Sequence, residues 1–120
     1  MTDGRVSAGE WRFLNIIWRN EPVGSGRLVE LCQQELGWAK STTYTRLHIL
    51  IEKGMVENKQ TIVTSLISRE QVQASESAYV VNETFEGSLP GFVAAFLGER
   101  KLTEEEADAL RKLIDGYREG

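Results

Sequence analysis

The sequence holds few of the residues from which catalytic, metal-binding and disulfide-bonded sites are built. Cys32 is its single cysteine and His48 its single histidine. A single cysteine excludes a disulfide-stapled domain, and clustered Cys and His ligands of a metal site are absent. No G-x-x-x-x-G-K-[ST] phosphate-binding loop is present, and no motif pairs two carboxylates in an apolar pocket. We therefore predict a protein that is not an enzyme and that uses no cofactor and no metal ion.

Long apolar runs are also missing. No segment approaches the roughly 18 consecutive apolar residues that a membrane span needs. The residues before Trp11 contain no apolar stretch of the kind found in secretory signals. These features predict a cytoplasmic protein without a membrane partner, and its 120 residues suit one domain or a small domain plus an oligomerisation segment.

The charge is mildly acidic and unevenly distributed. The net charge of −4 and the pI near 5.1 argue weakly against a nucleic-acid partner, because phosphate binding usually requires a basic surface. Residues 1–68, however, carry eight Lys or Arg against seven Asp or Glu, and the acidic excess lies in residues 69–120. The first half could still present a basic face, so total charge does not decide the question.

Three helices are predicted in the first 54 residues. Ser7 and Glu10 form a capping box ahead of apolar residues at helical spacing. A second helix is predicted from about 25 to 37, and a third from about 40 to 53. Gly54 then stands at the position after a helix end that favours glycine.

Two short extended segments follow, at 55–59 and 61–67, and the very short turn between them is predicted around 58–60. Three helices followed by a strand pair is the order of a winged helix-turn-helix, in which the third helix enters the DNA major groove. The rest of the chain is predicted to be helical, with further capping boxes at Ser68 and Thr103. The predicted fold is mainly α with a small β-wing.

The predicted third helix has two different faces. Thr43, Leu47 and Leu50 fall on one face, and hydroxyl side chains and His48 fall on the opposite one. Short hydroxyl side chains near a helix N-terminus suit contacts with phosphates and base edges. The alternative is an exposed polar helix face with no binding role.

Several segments form a pattern along the chain: SAGEW at 7–11 with IIW at 16–18, WAKSTTYTRL at 38–47, LIEKGMV at 50–56, GSL at 87–89, AAFL at 94–97 and LTEEE at 102–106. Together they resemble the BlaI/MecI penicillinase-repressor family, which includes the CopY copper-responsive repressors. SAGEW with IIW is similar to the first helix of that family, WAKSTTYTRL to its recognition helix and LIEKGMV to the exit of that helix into the wing. The last three segments resemble its C-terminal dimerisation region. The resemblance covers residues 6–118.

This resemblance implies a transcriptional repressor that binds double-stranded DNA as a homodimer on a palindromic operator. It implies a winged helix-turn-helix DNA-binding domain at 1–67 and a helical dimerisation region at 68–120. The residues expected to pair the two chains are apolar: Leu89, Phe92, Val93, Phe96, Leu97, Leu110, Leu113 and Ile114. The alternative for this apolar stretch is packing within one chain.

The DNA-contact candidates lie on the third helix and the wing: Lys40, Ser41, Thr42, Tyr44, Thr45, Arg46, His48 and Lys59. Thr42, Thr45 and His48 are expected to face base edges. The backbone contacts are expected from Lys40, Tyr44, Arg46 and Lys59. A rival interpretation, which the acidic charge and thin wing favour, is a winged-helix module that binds a protein partner and has little affinity for DNA.

Departures from the family pattern concern affinity and induction. Ala39 and Lys40 replace the Ser-Pro that commonly starts the recognition helix, so a side-chain cap is lost. Ser41 and Ile49 stand where members often carry basic residues, which predicts weaker phosphate binding or a different operator. Ala95-Phe96 occupies the place of the Asn-Phe pair that is cleaved in penicillinase repressors, and the Cys-x-Cys copper motifs are absent. Neither induction route is expected, and the inducer is not assigned.

Overall fold

The computed structural model of the chain describes residues 4–118. Its elements follow in the order α1 (Ala8–Asn20), β1 (Val23–Gly24), α2 (Ser25–Leu36), α3 (Lys40–Glu52), β2 (Val56–Lys59), β3 (Ile62–Ser65), α4 (Arg69–Thr84), α5 (Leu89–Leu97) and α6 (Glu104–Tyr117). The predicted mainly helical fold with a small β-wing is confirmed.

The predicted helix boundaries are set by local capping. Ser7 and Glu10 exchange side-chain hydrogen bonds with each other's backbone N–H and so start α1. Gly37 and Gly54 end α2 and α3 with positive φ angles of 69° and 76°, a conformation that favours glycine. Ser68 pairs with Gln71 in the same reciprocal way at the start of α4, as Thr103 does with Glu106 at α6.

The sheet is antiparallel, with three strands in the order β1-β3-β2. The two predicted strands are confirmed, although β2 and β3 are shorter than expected. The third strand, β1, was not predicted; Val23 in it pairs with Val63 of β3. As a result β3 is hydrogen-bonded along both of its edges.

The turn between β2 and β3 lies later than predicted. Lys59 is still in β2 and pairs with Ile62, so the turn consists of Gln60 and Thr61 and not of residues 58–60. Both turn residues have positive φ, 52° and 65°. This is the geometry of a two-residue hairpin that matches the twist of its strands, and it explains the position of the turn.

The chain forms two compact units, residues 1–79 and 80–120, divided within α4. Unit 1 has an apolar core that includes Phe13, Leu28, Leu50 and Val63, all fully buried. Cys32 belongs to this core, and burial raises the pKa of its thiol to about 11. Its thiol therefore stays protonated at neutral pH and acts as a small apolar group.

Unit 2 buries much less. Phe85 and Phe92 contact each other edge to face, with ring centroids 5.4 Å apart. No side chain of α5 or α6 is buried within the described part of the chain. Among residues 4–118, no helix is long and apolar enough to cross a membrane.

Candidate nucleic-acid interface

Helix α3 is anchored along one face and exposed along the other. Thr43, Leu47 and Leu50 are buried, with at most 2% of each side chain exposed. Of the eight predicted contact residues, Thr42 is half-buried. The other seven are exposed: Lys40, Ser41, Tyr44, Thr45, Arg46, His48 and Lys59. The two faces predicted for α3 are therefore present.

The exposed face of α3 has a polar centre and two edges. At about 100° per residue, Ser41, Thr45 and His48 fall on one stripe. Tyr44 and Arg46 lie on opposite sides of that stripe. The centre thus offers hydroxyl and imidazole groups, which can reach base edges. Arg46 provides a guanidinium that matches a guanine edge or a phosphate.

Carboxylates lie close to His48 and Lys59 of this surface. His48 Nε2 lies 3.2 Å from Glu52 Oε1, and both side chains are exposed. Lys59 Nζ, at the end of β2, lies 3.6 Å from Glu57 Oε2. Within residues 4–118, no carboxylate lies within 4 Å of the charged groups of Lys40 or Arg46. These two cations remain for an anionic partner.

The two ends of α3 are held differently. At the start, Ala39 makes no side-chain cap hydrogen bond, as the sequence predicted. At the other end, Lys53 Nζ donates to both carboxylate oxygens of Glu10, at 3.0 and 3.1 Å, and to the carbonyl of Arg5. This contact joins the end of α3 to α1.

The carboxylate of Glu10 has a double role that the sequence revealed only in part. The capping-box motif marked its bond to the N–H of Ser7, but no local pattern indicated Lys53, which is 43 residues away. Burial opposes ionisation of Glu10; the bonds from the Ser7 backbone and Lys53 outweigh it and lower the pKa. Glu10 is therefore a buried, ionised partner of Lys53.

A second connection missed by sequence reasoning joins the N-terminal segment to α4. Arg5 Nε donates to Glu76 at 2.9 Å, and the backbone N–H of Val6 donates to the same oxygen at 2.8 Å. The Arg5 guanidinium stacks 3.2 Å from the centre of the Tyr79 ring. No sequence signal predicts this contact, because it pairs residues about 70 positions apart.

The predicted dimerisation residues lie at the surface of unit 2. Six of them are exposed: Leu89, Val93, Phe96, Leu110, Leu113 and Ile114. Phe92 and Leu97 are half-buried. An apolar groove of about 210 Å³ brings five of the eight together with Leu102, namely Phe92, Val93, Phe96, Leu97 and Leu110. Leu89, Leu113 and Ile114 do not line that groove.

The interface contains no candidate metal centre. Within the described part of the chain, no three His, Cys, Asp or Glu side chains are clustered closely enough to hold a metal ion. The exposed polar surface of α3 consists of hydroxyl, imidazole, amine and guanidinium groups together with the Glu52 carboxylate. These groups can make hydrogen bonds and ionic contacts.

Comparison with known proteins gives matches over nearly the whole chain. The sequence profile of the family described as penicillinase repressor matches residues 6–116. The methicillin resistance regulatory protein MecI of Staphylococcus aureus is 25% identical over 114 residues, which cover 92% of this chain and 93% of that protein. The penicillinase repressor of Bacillus licheniformis is 22% identical over 118 residues, covering 95% and 92%.

Proposed function

Because the chain belongs to the penicillinase repressor family, whose members are DNA-binding transcriptional repressors and not enzymes, we propose that it represses transcription as a homodimer on a palindromic operator. The observation that carries this proposal is the arrangement of α3. Its apolar face is buried in unit 1, while its polar face and the flanking Lys40 and Arg46 are exposed. This presents a rigid helix surface of the size that fits a major groove.

Seven of the eight candidate residues have an assigned role in this proposal. Thr42, Thr45 and His48 contact base edges, since they lie on or beside the centre of the exposed face. Lys40, Tyr44 and Arg46 contact the DNA backbone from the edges of α3. Lys59 contacts the DNA backbone from the end of β2. There a phosphate would replace the Glu57 carboxylate, which lies 3.6 Å from Lys59 Nζ.

A homodimer accounts for the apolar surface of unit 2. Side chains such as Phe96 and Leu113, exposed by 50% and 56%, would leave water when a second copy covers α5 and α6. We assign DNA binding to residues 1–67 and dimerisation to residues 68–120. Two recognition helices related by a two-fold axis then match two half-sites related by the same symmetry. We place this repressor in the cytoplasm, together with the DNA that it binds.

Fluorescence anisotropy with the full chain tests the DNA part of the proposal. The labelled duplex is the region upstream of the chain's own gene, with a scrambled duplex of equal length as the control. We expect tight binding to the upstream duplex alone, weakening as the salt concentration is raised. Sedimentation equilibrium tests the dimer in parallel and is expected to give twice the chain mass of 13.5 kDa.

Equal and weak binding to both duplexes, at low salt as well as high, would contradict a role at this operator. A pull-down with the intact chain would then test the rival role as a protein-interaction module. A monomer that binds the upstream duplex tightly would contradict the homodimer but would still agree with DNA binding through α3. The two parts of the proposal can thus fail separately.

A further inference from the structure

A cleft of about 460 Å³ on unit 1 carries a concentration of positive charge away from α3. It lies between α1, the end of α2 and the first residue of α4. Three guanidinium groups line it, those of Arg12, Arg19 and Arg69. Among the described residues, Glu35 is the one carboxylate of the lining, and it lies 2.6 Å from Arg19. The cleft therefore holds two positive charges that no lining carboxylate balances.

Arg69 is held in place by its neighbours. It donates a hydrogen bond to Oδ1 of Asn15, and its guanidinium lies 5.7 Å and 5.0 Å from the ring centres of Trp11 and Trp18. Trp18 in turn donates its Nε1–H to the carbonyl of Ile67, which fixes the chain just before α4. Since Asn15 takes one of five N–H donors, a fixed guanidinium remains able to bind an anion.

Arg12 is the exposed counterpart of Arg69. It lies on α1 seven residues before Arg19, so both project along one stripe of the helix. Within residues 4–118, no carboxylate lies within 4 Å of its guanidinium. The wall around these arginines includes the apolar side chains of Ile16 and Leu36. An apolar wall with cationic groups is complementary to a molecule with a carbon chain and acidic groups.

We propose that this cleft binds a small organic dianion, of the aliphatic dicarboxylate class. One carboxylate pairs with Arg12, the other with Arg69, and the carbon chain lies against Ile16 and Leu36. Planar guanidinium groups suit carboxylates because they donate two parallel hydrogen bonds. None of the lining residues belongs to α3 or to the β2–β3 hairpin, so this site is separate from the proposed DNA surface.

Isothermal titration calorimetry with the full chain, in a carboxylate-free buffer, tests the proposal. The probes are succinate, glutarate and adipate, with butyrate as the singly charged control. We expect at least one dicarboxylate to bind with Kd below about 10 mM, and butyrate to bind about tenfold more weakly. A rise in Tm with the same dicarboxylate provides a second readout.

Three variants separate the site from general charge effects. Arg12→Gln is expected to weaken dicarboxylate binding about tenfold or more, since it removes one charge-assisted contact from an exposed position. Glu35→Gln removes the opposing carboxylate and is expected to strengthen binding about twofold to fivefold. Arg27→Gln changes an exposed arginine outside the cleft and is expected to leave binding unchanged.

Three results would overturn the proposal. The first is the absence of heat and of a Tm shift with all three dicarboxylates. The second is an Arg12→Gln protein that is folded by circular dichroism and binds dicarboxylate as tightly as the parent chain. The third is equal binding of butyrate and dicarboxylate, because the proposal requires two carboxylates.

Discussion

The ammonium of Lys53 lies 3.0 Å from Oε1 of Glu10 and joins the end of α3 to the first turn of α1. The carboxylate is almost fully buried, with 7% of its side chain exposed. The Lys53 side chain is 37% exposed, so only the carboxylate is buried, and loss of Lys53 would leave that carboxylate without its compensating charge. The position of α3 therefore depends on a contact outside its proposed DNA-binding surface.

Glu10→Gln is expected to lower the free energy of unfolding by about 1–3 kcal/mol at pH 7, since it keeps the side-chain acceptor but loses the charge opposite Lys53. Because the pKa of Glu10 is lowered in the fold, its contribution is complete above the ordinary value of 4.5. It is lost as pH falls through the lowered pKa. The free energies of unfolding of the parent chain and the variant, measured with urea at pH values from 7 to 3, test this pH dependence.

The matched control for that measurement is Glu30→Gln. Glu30 also pairs with an arginine, at 2.9 Å, but both side chains are more than half exposed. An exposed ion pair contributes about 1 kcal/mol or less. A Glu10→Gln protein no less stable than the control, or a loss that does not shrink in acid, would show that the Glu10–Lys53 pair does not stabilise the fold.

Because we assign Arg46 to the DNA backbone, Arg46→Ala is expected to weaken binding to the operator and to the scrambled duplex alike. If its guanidinium instead meets a base edge, operator binding alone is expected to weaken, by about 1–3 kcal/mol. Anisotropy on the upstream and scrambled duplexes separates these cases. Arg111→Ala, an exposed arginine of α6, serves as the control. Unchanged operator affinity in the Arg46 variant would rule out the role assigned to this residue.

Ile114→Asp is expected to convert the proposed dimer to a monomer and thereby to lower operator affinity. Ile114 is 61% exposed within one chain, so the substitution leaves the chain's own core intact. In the dimer it would bury a carboxylate against apolar groups, which is unfavourable. Lys112→Asp, on the opposite face of α6, is the control. Sedimentation that gives a dimer for both variants would place the interface elsewhere.

Thr61→Gly is expected to stabilise the fold by about 1 kcal/mol. Thr61 is β-branched and has a φ of 65°, where the left-handed conformation costs about 1–2 kcal/mol for residues other than glycine. Its carbonyl, which accepts from Ser25, is kept by the substitution. Thr64→Gly, the same change inside β3, should destabilise. Urea midpoints compare the two, and a lower midpoint for Thr61→Gly would refute the assignment of strain.

Local signals predicted the helices, because their caps and glycines lie within a few residues of each boundary. The family resemblance drawn from these segments is confirmed by the match over residues 6–116. The sequence did not predict β1, which has two residues and exists because Val23 pairs with the distant Val63. The turn was misplaced because Gln60 and Thr61 lack the Asn-Gly signature of such hairpins.

In the candidate site too, the features set by local sequence were predicted and the contacts between distant residues were not. Helical periodicity was sufficient to predict that Thr45 and His48 are exposed and that Leu47 is buried. The partners of Lys53 and Arg69 could not be predicted, because they belong to helices distant in sequence. Which bases or phosphates the exposed side chains meet stays a prediction for the experiments above.

The position of β3 between two strands has a consequence for the energetics of association. Val63 is fully buried and is paired with Asn58 on one side and Val23 on the other. The backbone leading to Lys59 is thus ordered before any partner arrives. Binding through this hairpin requires little loss of backbone entropy, and the remaining cost is the fixing of exposed side-chain rotamers.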